Sequence, residues 1–296
     1  MRVEQCPRQW LEKNPAARFV AQLFPNFHTK VTYGAQTEGD KIMTTDASII
    51  VPFFNEEDNV DPVLAELRDA MPGAEIIAVN DGSTDGTAAR LAGAPGIVTV
   101  SFPHNLGQSA ALYAGLLHAT RSVCVMMDGD GQNNSADIPR LIAALERADV
   151  ACGYRLRRQD DWRRRAAARC ANAIRRAVLH DGVRDTGCSL KAVRREHVRF
   201  LVPFNGLHRY LPAFFRRAGL SIVEVPVNHR PRTRGASKYT IGGRAWRGLR
   251  DLVGVQWLLA RQIAFPPGLT PRLEWEHGNG ANRDLFSETF EENTRP

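Results

Sequence analysis

The sequence predicts an α/β protein with a mostly parallel central sheet, on three observations. From residue 47 to about 155, short β-branched or apolar runs alternate with stretches of helical periodicity. Strands separated by helices of that length read as βαβ units. The polar motifs fall where strands end: Asn55-Glu56 after the first, Asp81 after the second, Asp128 after the fourth. Open parallel sheets bind their ligands there, outside the carboxyl ends of the strands.

Residues 48–54 (Ser-Ile-Ile-Val-Pro-Phe-Phe) read as a buried strand. Residues 57–70 read as a helix, because Val60, Val63, Leu64 and Leu67 recur on one stripe. A second strand at 75–79 closes on the turn chemistry of Asn80-Asp81-Gly82-Ser83. A short helix over 84–92, a strand over 97–102 and a helix over 107–120 follow. Residues 122–127 form a fourth, apolar strand, then come a helix over 138–147 and a fifth strand over 150–154. The second half is more irregular: an Arg-rich helix over 160–180, a loop from 184 into a short strand by 193, a helix over 206–218, a strand over 221–227, a basic loop over 229–239 and a last helix over 241–261. The tail from 266 is polar and rich in Gly and Asn.

The chain has 296 residues, 43% of them apolar, enough to bury a sizeable core. Its 39 Lys and Arg exceed its 32 Asp and Glu, a net charge of +7 that favours anionic partners. Nucleic acid is not expected among them, since no recognition motif or aromatic stacking run is present. The five cysteines contain no CxxC pair, which argues against a zinc site or disulfide framework and fits a reducing cytoplasm. Cys124 and Cys152 lie in apolar runs and read as core thiols. No run of 18 apolar residues is present, so a lipid partner would be reached from the surface. Residues 1–46 have weak periodicity and read as an extension, with Met43 as the expected native start.

Asp128-Gly129-Asp130-Gly131-Gln132 carries the strongest chemical signal. Two carboxylates one residue apart can face a single ion, and Gln132 adds a carbonyl oxygen at the same spacing. Mg²⁺ and Mn²⁺ prefer such oxygen ligands and share their shell with substrate phosphates. Alone, the motif would read as a surface turn; its place after a buried strand makes it a site. Asp81 can accept from the N–H of a nucleobase, while Ser83, Thr84 and Asp85 are expected to cap the next helix. In His104-Asn-Leu-Gly107-Gln-Ser, Gly107 and the helix start could approach a phosphate or sugar.

As an ordered set, Ser-Ile-Ile-Val-Pro-Phe-Phe-Asn-Glu-Glu, Asn-Asp-Gly-Ser-Thr-Asp-Gly-Thr, Asn-Leu-Gly-Gln-Ser-Ala-Ala-Leu and Asp-Gly-Asp-Gly-Gln resemble glycosyltransferase family 2 with its Rossmann-like GT-A fold. The resemblance implies that Pro52, Phe54, Glu56, Asp81, Gly107 and Asp128 hold an NDP-sugar, UDP- or GDP-linked. It also implies that Asp128, Asp130 and Gln132 hold the Mg²⁺ or Mn²⁺ that bridges the diphosphate. Gly153-Tyr-Arg155, the Arg-rich helix with Asn172, the motif Asp185-Thr-Gly-Cys-Ser-Leu-Lys191, and the run from His229 through Arg232, Gly235, Ser237 and Lys238 to Tyr239 resemble the polyprenyl-phosphate branch. That branch includes dolichol-phosphate mannosyltransferases and undecaprenyl-phosphate glycosyltransferases. The resemblance spans residues 47–262. By it, Arg155, Arg164, Arg232, Ser237 and Lys238 bind the acceptor phosphate, which needs bidentate guanidinium groups. Asp185 is a base by position or a structural residue. Three features depart from the pattern: Ser135-Ala136-Asp137 replaces a Pro-Glu, Gln108 stands where Lys is common, and Ala168 stands where many relatives have Ser.

In the last helix, Trp246, Leu249, Leu252, Val253, Trp257 and Leu258 interleave with Arg244, Arg247, Arg250 and Arg261. This suits either an interfacial helix at an anionic leaflet or a helix packed on the domain with a basic outer face. The expected organisation is an extension over 1–46, a GT-A domain over 47–240, the amphipathic helix over 241–262 and a polar tail over 263–296. The expected activity is inverting, metal-dependent sugar transfer to a polyprenyl phosphate at the cytoplasmic membrane face, serving envelope glycan or lipid modification. A membrane-protein anchor or flippase would be a further partner. A family 2 enzyme with another lipid-linked or soluble sugar acceptor, and a non-catalytic nucleotide-sugar-binding protein, are the other readings. Neither the sugar nor the base is legible.

Overall fold

The computed structural model describes residues 46–156, 162–231 and 242–262; the side chains of 162–168 and, save for Gly248, of 242–249 lie outside that description. The expectations for residues 1–45 with Met43, for the side chains of Arg164, Ala168, Trp246 and Leu249, for Arg232, Gly235, Ser237, Lys238 and Tyr239, and for the tail therefore lie outside the described residues.

Seven strands form one sheet in the order β3-β2-β1-β4-β6-β5-β7. They are β1 Ala47–Phe53, β2 Glu75–Asn80, β3 Val98–Ser101, β4 Val123–Met126, β5 Val150–Arg155, β6 Lys191–Arg194 and β7 Ile222–Val227. All neighbours pair in parallel except β6, which runs antiparallel to both β4 and β5. The helices are α1 Glu57–Ala70, α2 Thr87–Gly93, α3 Gln108–His118, α4 Ile138–Ala144, α5 Trp162–Leu179, α6 Leu207–Arg217 and α7 Gly242–Arg261. Two 3₁₀ turns, Ser135–Asp137 and Arg195–Phe200, have no counterpart in the sequence reading.

The inner strands β1, β2 and β4 are buried on both faces, as parallel strands covered by helices must be, while the edge strand β3 is largely exposed. Alternate residues of β1 enter opposite cores. Ile49, Val51 and Phe53 join Val60, Val63, Leu64 and Leu67 of α1 and Leu141 and Ile142 of α4. Ile50 faces the other way, with Ala111, Leu112 and Leu116 of α3, Phe214 and Phe215 of α6, and Leu252, Val255 and Leu259 of α7. Gly115 of α3 makes the close contact that seats this layer, since a Cβ there would lie 2.3 Å from Ile50 Cγ2. Cys124 and Cys152 are buried in this second core, and burial pushes both thiols up to about 12.

Among its described residues, the last helix has a buried and an exposed side. Leu252 is buried in the core, while Val253 and Trp257 are 65% and 63% exposed beside exposed Arg250 and Arg261. Among the described residues, no helix is long and apolar enough to cross a membrane.

Candidate functional site

The loops after β1 and β2 are laced together. Asn55 adopts φ +52°, a left-handed conformation that a short polar side chain tolerates. Its side-chain oxygen accepts from the Thr84 N–H at 2.7 Å, and its own N–H donates to Ser83 Oγ at 3.0 Å. Glu56 N–H donates to Thr87 Oγ1, and Glu57 accepts from Gly86 N–H. Ser83 and Thr84 are thus ties between loops rather than the helix caps expected. Asp85 does reach the start of α2, accepting from Thr87 N–H at 3.0 Å. Glu56 accepts from Asn59 Nδ2 at 2.6 Å, and Pro52 and Phe54 flank this corner, half-buried.

Asp81 is buried at the end of β2. Its carboxylate accepts from the Leu106 N–H (2.7 Å), the Gly107 N–H (3.0 Å) and Asn105 Nδ2 (2.9 Å). Burial raises its pKa, and the two backbone donors oppose that rise. Gly82, at φ +62°, lets the 104–107 loop pack close, since a Cβ there would lie 2.1 Å from the His104 carbonyl carbon. The carboxylate read as a partner for the base therefore also holds the loop that starts α3.

One residue, Met127, separates Asp128 from the end of β4. Gln108 Nε2 donates to its Oδ1 at 2.6 Å, while Ser189 and Lys191 favour its charged form. Burial, then repulsion from Asp130, pushes the Asp128 carboxyl up to about 6. Gly129 packs on β1: a Cβ there would lie 2.6 Å from the Phe53 ring and 2.8 Å from the Pro52 carbonyl oxygen. Gly131 turns the chain at φ +73°, and Asp130 accepts from the Gln132 N–H at 3.1 Å. The Gln132 side-chain nitrogen donates to the Arg230 carbonyl, which leaves the Gln132 carbonyl oxygen as that side chain's ligating atom. Among the described residues, no group of three His, Cys, Asp or Glu side chains gathers as a metal set. Two crowded carboxylates and an amide oxygen, with repulsion between the acids, are a donor set that a hard divalent cation fits.

The segment from Asp185 to Lys191 serves two places. Asp185 accepts from Arg155 Nε (2.8 Å) and Nη2 (2.9 Å), a two-point ion pair across the end of β5. Gly187 allows it, as a Cβ there would lie 3.0 Å from Arg155 Nη2. Thr186 reaches Asn172 of α5. Four residues on from Asp185, Ser189 accepts from Asn133 Nδ2 at 2.9 Å and favours the charged form of Asp128. Lys191, only 2% exposed, donates to the carbonyls of Thr186 and Cys188 and draws the Asp128 carboxylate electrostatically. Neither Ser189 nor Lys191 was singled out from sequence beyond its motif.

The chain leaving β7 runs beside the acidic loop. Asn228 donates to Asp137, Arg230 N–H donates to Gln132 O at 2.9 Å, and His229 bridges Asn133. The Arg230 guanidinium binds Glu66 and Asn134. Asp137, part of the Ser135-Ala136-Asp137 departure, is therefore an anchor for this strap.

The sequence profile of Glycosyl transferase family 2 matches residues 48–201, more than half of the chain and every motif described so far up to Lys191. The chain belongs to glycosyl transferase family 2. This family 2 chain is 35% identical over 234 residues to the dodecaprenyl-phosphate galacturonate synthase of Rhizobium johnstonii, covering 74% of itself and 69% of that protein. It is 34% identical over 204 residues to the undecaprenyl-phosphate 4-deoxy-4-formamido-L-arabinose transferase of Sodalis glossinidius, covering 66% of itself and 63% of that protein. Among solved structures, glucosyl-3-phosphoglycerate synthase from Mycobacterium tuberculosis, in complex with Mn²⁺, UDP-glucose and phosphoglyceric acid, superposes with a TM-score of 0.59. The two share 22% identity over 71% of this chain and 79% of the other, a likeness of fold.

Proposed function

We propose that this family 2 enzyme transfers a sugar, with inversion, from a nucleoside-diphosphate sugar to a polyprenyl phosphate at the cytoplasmic face of a membrane. The relatives named for dodecaprenyl and undecaprenyl phosphate support the acceptor class. The observation that carries the reading is the 185–191 segment, in which Asp185 holds Arg155 while Ser189 and Lys191 favour the charged form of Asp128. It sets a guanidinium for an acceptor phosphate next to a carboxylate for a donor diphosphate. The strap at 228–231 adds to this, because the basic run with Arg232, Ser237 and Lys238 follows it directly in the chain.

In this reading Pro52, Phe54, Glu56, Asp81 and Gly107 line the nucleotide end. Asp128, Asp130 and Gln132 hold Mg²⁺ or Mn²⁺, which when bound neutralises the leaving diphosphate. The fold neighbour bound to Mn²⁺ and UDP-glucose favours a UDP-linked donor. Arg155, with Arg164 and Arg232, orients the acceptor, and proximity supplies much of the rate. An acceptor phosphate is anionic at neutral pH, so its oxygen attacks without a base. Asp185 then acts on Arg155, fixing two of its N–H groups and its backbone N–H. The outer face of α7, with Val253 and Trp257 between Arg250 and Arg261, lies against the leaflet. Residues 47–240 form the transferase domain, with the helix at 241–262 as its membrane contact.

A screen of labelled UDP- and GDP-sugars against undecaprenyl phosphate, with Mg²⁺ or Mn²⁺ and an EDTA control, tests this. The expected product is a mild-acid-labile lipid that EDTA abolishes. Label appearing only in a soluble sugar, or no transfer with any donor, would overturn it.

A further inference from the structure

Four consecutive residues, Leu106 to Ser109, join three parts of the molecule. Leu106 and Gly107 donate their backbone N–H groups to Asp81. Gln108 donates from its side chain to Asp128 at 2.6 Å. Ser109 accepts from Gly206 N–H at 2.9 Å and pairs with His208 Nδ1 at 2.7 Å, which ties the start of α3 to α6. The Gln108 backbone is thus held on both sides, by the Asp81 carboxylate before it and by α6 after it. A side chain rooted so firmly gives its partner a fixed direction.

That partner is a carboxylate with neighbours competing for its orientation. Asp130 repels it, while Ser189 and Lys191 attract it. We propose that Gln108 is a positioning residue for the metal: its amide holds Asp128 Oδ1 and so presents the rest of that carboxylate to the cation. The inference rests on the metal reading of residues 128–132. It goes further by linking the nucleotide-end Asp81 to the metal ligand through one short segment. Groups that hold a ligating carboxylate in place commonly change metal affinity by about 10- to 100-fold when removed.

The test measures Mn²⁺ binding to the full chain by electron paramagnetic resonance, with UDP present. Gln108→Met keeps length and helix propensity but removes the donor, and Gln108→Leu is a second such change. Both are expected to weaken Mn²⁺ about tenfold. Gln108→Lys restores an N–H donor of similar reach and is expected to stay within about threefold of the parent, while UDP affinity without metal stays unchanged in all three. Parent-like Mn²⁺ affinity in the Met and Leu variants overturns the inference. So does equal weakening in Lys and Met, or a loss of metal-free UDP binding that would mark a general distortion of the loop. A parent protein that binds no Mn²⁺ even with UDP instead overturns the metal reading itself.

Discussion

In the β3-β2-β1-β4 half of the sheet, every pairing is parallel and each motif sits in the loop directly after its own strand. In the β6-β5-β7 half, β6 runs antiparallel, and the central ion pair joins Arg155 at the end of one strand to Asp185 before another, 30 residues later. The first half ties its loops with several hydrogen bonds, from Asn55 to Ser83 and Thr84, from Glu56 to Thr87, and from Asp81 to Leu106 and Gly107. The second spans a similar separation in sequence, but with a two-point ion pair between Arg155 and Asp185. The first arrangement spreads its geometry over neutral and carboxylate hydrogen bonds between loops. The second relies more on opposite charges, in the Arg155–Asp185 pair and the Arg230–Glu66 pair.

The largest expected effect comes from Asp130, in the loop after β4. On the proposed reading Asp130→Ala removes a metal ligand, a contribution of several kcal/mol, so transfer should fall by at least about 10²-fold at any metal concentration. Steady-state rates with polyprenyl phosphate measure it, and full activity would overturn the metal role of the loop after β4. Next comes Arg155→Lys, which keeps the charge but loses the two-point bond to Asp185. kcat/KM for the lipid acceptor should drop roughly 10- to 100-fold while UDP affinity holds. An equal loss of UDP binding would mean that the halves are not separate. The smallest effect is expected at the far edge, where Asp149 accepts from the Ser221 hydroxyl and N–H. Burial pushes the Asp149 pKa up, but these bonds and nearby cations more than offset that and leave it lowered. A depressed carboxyl stabilises the fold above its unfolded pKa and loses that contribution as pH falls through the folded one. Ser221→Ala should therefore cost about 1 kcal/mol at pH 7 in urea titration, less in acid, with transfer unchanged.

The same comparison explains what could be read in advance. The α1 stripe of Val60, Val63, Leu64 and Leu67 is legible because helical periodicity alone sorts it, and all four are buried as expected. Asp128 and Asp130 are legible because their spacing is local. Strand β6 is four residues whose antiparallel place between β4 and β5 depends on pairings far apart in sequence, and no periodicity encodes that. The buried Lys191 and the Gln108–Asp128 bond are invisible for the same reason: each acquires its meaning from a partner that only the folded chain supplies. Trp257 and Leu252 looked alike in sequence, and only packing assigned them to opposite faces.

Gly129 has a consequence of a different kind. With the Phe53 ring and the Pro52 carbonyl already where its Cβ would stand, the position has no permissible neighbour in the genetic code. Alanine, the smallest step available, would prise β4's loop from β1 and carry Asp128 and Asp130 with it. A saturation library at this codon should therefore return a single amino acid, even though glycine contributes no atom to the chemistry.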